Sequence, residues 1–151
     1  MYVKGVATRK VAHLVEKTIG CEISSSQVSK LSKLLDEELE KWRNRDLGEY
    51  PFLILDATYE DIRLDNSVQS TAVLVAFGID SYGKRSVLGV SISVSESEVH
   101  WRQFLESLVK RNLQGVKYIA CDVHPGLASA RKSVFPNAQW QRCQFHLQQN
   151  A

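Results

Sequence analysis

Cysteine, proline and methionine are scarce in this chain of 151 residues, which has three Cys, three Pro and one Met. The cysteines, Cys21, Cys121 and Cys143, make an odd count without regular spacing, which argues against a disulfide framework and for a reducing cytoplasm. No signal-peptide pattern is read at the start. Long apolar runs are also missing. The longest, Ala72–Phe77, is far too short to cross a membrane, so no membrane partner is expected. Neither sign of charge dominates, with 19 Lys and Arg against 17 Asp and Glu, a net charge of +2. There is no internal repeat and no low-complexity tract. What remains is an ordinary soluble composition, 44% hydrophobic and 24% charged. The length suits one domain with a small appendage.

Charge is nonetheless unevenly placed. Residues 1–35 carry Lys4, Arg9, Lys10, Lys17, Lys30 and Lys33 against Glu16 and Glu22, and "DEELE" follows at 36–40. A basic start of this kind hints at a polyanion partner. Val11, Leu14 and Val15 predict a helix over 7–18, with Thr8 as N-cap and Gly20 as stop. The serines at 24–26 offer a second N-cap. Val28, Leu31, Leu35, Leu39 and Trp42 then mark one face of a second helix. Two helices about a short break resemble a helix-turn-helix. The second would offer Ser25, Ser26, Gln27, Lys30 and Lys33 to base edges and phosphates. A plain helical hairpin with solvated lysines fits the same pattern. The polar stretch "RNRDLGEYP" (43–51) reads as a linker, giving a helical segment over 1–48 and a second domain over 49–151.

Beyond the linker the pattern changes to strands. "FLILDATY" (52–59), "STAVLVAFGI" (70–79) and "RSVLGVSISVS" (85–95) form a meander turned by "DSYGK". A helix follows, with Ser95 and Glu98 in capping-box relation and Trp101, Phe104, Leu105 and Leu108 on its buried face. "GVKYIACD" (115–122) is a fourth strand. "HPGLASARKSVF" is a short helix with Pro125 in its first turn. "NAQWQRC" (137–143) is a fifth strand, and "QFHLQQN" opens another helix. This order predicts an α/β fold with a mixed five-stranded sheet flanked by helices, the first and fourth strands parallel neighbours.

Two acids stand out in that arrangement. The apolar run 52–55 looks like a strand buried on both faces, yet it runs straight into Asp56. Asp122 ends another strand 66 residues later. On adjacent parallel strands both carboxylates would share one crevice, where like charges repel unless a divalent cation lies between them. Magnesium accepts a few carboxylates together with waters and phosphate oxygens, and metal ions of this kind serve phosphoryl transfer. Alternatively, Asp56 caps a turn and Asp122 caps the helix at Pro125.

The stretch from "DATY" through "FGIDSYGKRSVLGVSISVSESEVHWRQFLESLVKRNLQGVKYIACDVHPGL" to "FPNAQWQRCQFHLQQN" resembles the Mutator-type transposases of bacterial insertion sequences. "YVKGVATRKV" and "VSKLSKLLDEELEKWRNRDL" resemble the segment before their catalytic domain, so the likeness covers essentially the whole chain. The resemblance implies a ribonuclease H-like core with an Asp, Asp, Glu triad that binds Mg2+ (or Mn2+) and cuts and joins double-stranded DNA at element ends. Asp56 and Asp122 match the two aspartates. Cys143 and His146 match the family's C-x-x-H motif, to which a packing or positioning role is assigned, since two ligands make half a zinc site. The glutamate is expected beyond Ala151, so the chain reads as an internal slice, inactive alone, of a protein that acts as a homo-oligomer in the cytoplasm at the nucleoid. Asp61, Asn112 and Val123 depart from the family pattern, which has a basic residue, the glycine of "RGL" and the glycine of "DGH" there.

Lesser candidates are His124, as a metal or phosphate contact or as a helix-start residue, and Arg63, Lys84, Arg85, Arg102, Lys110 and Arg111 along a DNA path. Trp101 and Trp140 would stack on a base, though Trp101 fits the core better. Glu96 and Glu98 suit a helix N-terminus and are not taken as ligands. A DNA-binding module without catalysis, acting as a repressor of the full transposase, is the rival reading. An unrelated metal-dependent nuclease on the same kind of fold is a third.

Overall fold

The computed structural model describes residues 8–64 and 67–149, the side chains of residues 8, 63 and 64 excepted. The N-cap expected at Thr8 and the Arg63 side chain therefore lie outside the described residues. The chain divides into two compact units, Met1–Arg45 and Asp46–Ala151.

The first unit is a pair of helices, α1 (Thr8–Ile19) and α2 (Ser25–Asn44). Gly20 ends α1 at φ 71°, its N–H returning to the Glu16 carbonyl at 2.9 Å, the left-handed stop that glycine adopts without strain. Ser24 caps α2 through a complete capping box with Gln27. The apolar stripe expected on α2 forms, but it is not covered. Val28 is buried, whereas Leu31, Leu35 and Leu39 are exposed. Arg45 lies over the Trp42 ring at 4.7 Å.

The second unit contains β1 (Gly48–Glu49), β2 (Phe52–Leu64), β3 (Ser67–Ile79), β4 (Arg85–Ser93), α3 (Glu98–Lys110), β5 (Leu113–Gln114), β6 (Tyr118–Cys121), α4 (Pro125–Val134), β7 (Gln139–Arg142) and α5 (Gln144–Gln149). Five strands form one sheet in the order β4-β3-β2-β6-β7. β2, β3 and β4 are antiparallel; β6 is parallel to both β2 and β7. Helices flank this mixed five-stranded sheet, as the order of elements in the sequence predicts.

The core lies between one sheet face and α3 and α4. Leu53, Leu55, Leu74, Ala76, Leu88 and Ile119 meet Trp101, Phe104, Leu105, Leu108 and Leu127 there. β2 is thus not buried on both faces: Phe52 stays 44% exposed and stacks on Tyr118 at 5.2 Å.

Three local expectations are corrected. The short parallel pair β1–β5 has no long apolar run to announce it; Leu47 and Gly48 donate backbone hydrogen bonds to Arg111 and Asn112, so part of the expected linker is ordered on the second unit. The fourth strand shortens to Tyr118–Cys121. The Ser95–Glu98 capping box does not form. Ser97 is the N-cap of α3, without a side-chain cap bond, because the Ser95 and Ser97 hydroxyls face His100 Nδ1 at 3.4 and 3.0 Å.

Candidate active site

Sheet register sets the two aspartates together. β2 and β6 pair as Phe52↔Tyr118, Leu53↔Ile119 and Ile54↔Ala120. Carried two residues further, the same register brings Asp56 level with Asp122, just past the end of β6. Both side chains line one crevice of about 110 Å³, together with Glu96, His124 and His146.

The aspartates are not deeply buried. The Asp56 side chain is 51% exposed and that of Asp122 38%, so the desolvation cost feared from the sequence is largely avoided. Each carboxylate has one basic neighbour from the β7–α5 segment. His146 Nε2 lies 3.8 Å from Asp56 Oδ1, and Arg142 Nε lies 3.9 Å from Asp122 Oδ1. Both separations exceed a hydrogen bond. Asp122 Oδ1, His124 Nδ1, Arg142 Nε and His146 Nδ1 are shielded from solvent without a hydrogen-bond partner among the described residues. Unsatisfied polar atoms of this kind are unusual in a folded protein, and three of the residues that carry them, Asp122, His124 and His146, line the crevice.

Two carboxylates in one crevice, one with an unpartnered oxygen, fit the hard oxygen preference of magnesium, which takes one or two carboxylates and completes its shell with water and phosphate. Among the described residues no three His, Cys, Asp or Glu side chains gather closely enough to hold a metal ion by themselves. The fit is therefore to a partial ligand pair.

Glu96 lines the crevice although sequence reading set it aside as a helix-start acid. Beside it, Gly126 packs against the backbone of residues 96–98. A Cβ there would fall 2.4 Å from the Glu96 carbonyl oxygen and 2.8 Å from the Glu98 nitrogen. Only glycine lets the start of α4 approach residues 96–98 so closely.

Cys143 and His146 arrive by different routes. Half-buried Cys143 is fixed through its backbone, its N–H donating to the Cys121 carbonyl at 2.9 Å. His146 reaches the crevice through its ring. Cys121 itself is buried, and burial pushes its thiol above the usual range. The Trp140 indole N–H, donating to its sulfur at 3.2 Å, and Arg131 offset part of that rise.

The DNA-contact candidates Ser26, Gln27, Lys30 and Lys33 lie on α2 in the other unit, all exposed. Gln27 Oε1 is engaged in the capping box at 2.8 Å, while Ser26 meets the Ser24 hydroxyl at 2.9 Å. Of the lesser candidates, Lys84, Arg85 and Lys110 are exposed. Arg102 pairs with Glu98, and Arg111 donates to the Leu88 carbonyl at 2.9 Å. Trp101 is wholly buried in the core and unavailable for stacking. Trp140 is 40% exposed with Arg131 over its ring at 5.0 Å.

The family model "Transposase, Mutator family" matches residues 1–151. The chain belongs to the Mutator family of transposases. It is 54% identical over its whole length to the transposase for insertion sequence element IS406 of Burkholderia multivorans. Over 99% of its length it is 43% identical to the transposase for IS256 in transposon Tn4001 of Staphylococcus aureus. In each case it spans 39% of the relative's length. Among solved structures, the HTLV-2 integrase catalytic core domain in complex with magnesium is similar at 17% identity and a TM-score of 0.41, over 70% of this chain and 68% of that one. Within this Mutator chain, the "DATY" and "CDVH" aspartates and the C-x-x-H histidine line the same crevice.

Proposed function

We propose that this chain carries part of the active centre of an enzyme that cuts and rejoins double-stranded DNA at the ends of an insertion sequence. The observation that supports this reading is the single crevice shared by Asp56 and Asp122. Bound magnesium or manganese would activate an attacking water, then a DNA 3′ hydroxyl, and stabilise the leaving oxygen. Asp56 and Asp122 are the residues that would hold it. Arg142, beside Asp122, offers a planar guanidinium suited to a phosphate oxygen. Ser26, Gln27, Lys30 and Lys33 would contact DNA along α2. The intact protein would work as a homo-oligomer at the nucleoid, and a third acid, a glutamate, would come from outside residues 1–151.

Because two carboxylates make a partial ligand pair, residues 1–151 alone should not turn over. Incubation with Mg2+ and plasmid DNA carrying element ends tests this, and the expected result is no nicking above background. Nicking that Asp56→Ala abolishes would contradict it.

Exposed Lys30 and Lys33, in a unit separate from the crevice, support the second reading, a DNA-binding repressor of the transposase. A gel shift with the Asp56→Ala, Asp122→Ala double variant distinguishes the two. Sequence-selective, salt-sensitive binding in a chain that never contributes to cleavage favours the repressor.

A further inference from the structure

We propose that Cys143-x-x-His146 is a clamp joining the two carboxylate-bearing strands, with His146 the positioning residue for Asp56; this rests on reading Asp56 and Asp122 as a metal pair. Cys143 stands at the junction of β7 and α5. Its N–H bonds to Cys121, the residue before Asp122, at 2.9 Å, which adds one rung to the β6–β7 ladder. Its carbonyl accepts the Leu147 N–H at 3.0 Å and so starts the first turn of α5. Three residues on, His146 lies on the same helix face as Cys143. Its Nε2 stands 3.8 Å from Asp56 Oδ1, with 25% of the side chain exposed.

One residue more or fewer between the two would swing the imidazole by about 100° around the helix and off Asp56. The spacing of the motif thus follows from what it spans. One end is locked by backbone to the strand of Asp122, and the other reaches the strand of Asp56. Asp56 needs such support: its carboxylate is half exposed, and among the described residues His146 is the one basic group in ionic reach of it. A role as a third metal ligand is not favoured, because no group of three candidate ligands forms among the described residues.

The test uses the 151-residue chain. Long-range 1H–15N NMR follows the histidine ring nitrogens, and Mn2+ titration by electron paramagnetic resonance gives affinity. Asp56→Asn should shift the His146 ring signals and leave those of His13 in place. His146→Ala should weaken Mn2+ binding about tenfold, as loss of an outer-shell partner does. His146→Gln, which keeps a side-chain N–H, should recover most of that loss at an unchanged thermal midpoint. Unmoved His146 signals in Asp56→Asn overturn the clamp. So does wild-type Mn2+ affinity in His146→Ala when Asp56→Asn has lost it, and in that case the metal pair stands. Equal Mn2+ binding by wild type and Asp56→Asn overturns the metal pair and the clamp together.

Discussion

The three thiols differ by environment alone. Cys21 is exposed, Cys143 half-buried and Cys121 buried. Burial raises the Cys121 pKa from the ordinary 9.0, and the thiolate is the reactive form. A maleimide should therefore label Cys21 first and Cys143 more slowly. Cys121 should stay protected until the chain unfolds, which mass spectrometry of time points resolves. Because the folded chain holds the Cys121 proton more tightly, that contribution to stability is complete below pH 9.0 and is lost as pH rises through the folded value. None of this was legible from three cysteines in a row of letters, since burial depends on which strand faces α4. Asn112 was partly legible. The resemblance leads one to expect glycine there, and its φ is 63°, a left-handed conformation that asparagine tolerates better than most residues.

At the scale of elements, the spacing of apolar residues carried most of the fold. Trp101, Phe104, Leu105 and Leu108 recur at helical intervals and all are buried on α3. The meander and the later strand–helix alternation fix the strand order once crossovers are right-handed. Side-chain capping was less legible, because Ser95 and Ser97 compete for His100 and the sequence does not say which partner wins. The close pairing of α3 and α4 starts was also hidden, although Gly126 marks it. Gly126→Ala should drive the α4 start away from residues 96–98, since its Cβ would overlap their backbone. Overpacking of this kind costs about 1–3 kcal/mol, measurable by urea unfolding. A midpoint equal to wild type would show that the approach is looser than described.

Across the whole molecule, burial is unequal between the two units. In the helical unit Val28 and Ser32 are the buried residues of α2, whereas the second unit encloses a continuous core from Leu53 to Ala130. Native-state hydrogen exchange should therefore be fastest in α1 and slowest in β2 and β3, because opening free energy follows buried contacts. Uniform protection would contradict that ranking. No helix among the described residues is long and apolar enough to cross a membrane. The candidate site was legible as two acids that each end an apolar run. Arg142 was not, because it arrives on β7, which the sheet order alone brings beside β6; His146 was named through the C-x-x-H motif, but its place beside Asp56 was not legible. The proposed metal pair requires that Asp56 and Asp122 bind one ion together. Paramagnetic broadening of backbone amide signals by substoichiometric Mn2+ tests it most directly. Amides around 56 and around 122 should broaden together at the same Mn2+ concentration, and Asp56→Asn should remove the effect at both. Broadening at only one of the two strands would contradict it.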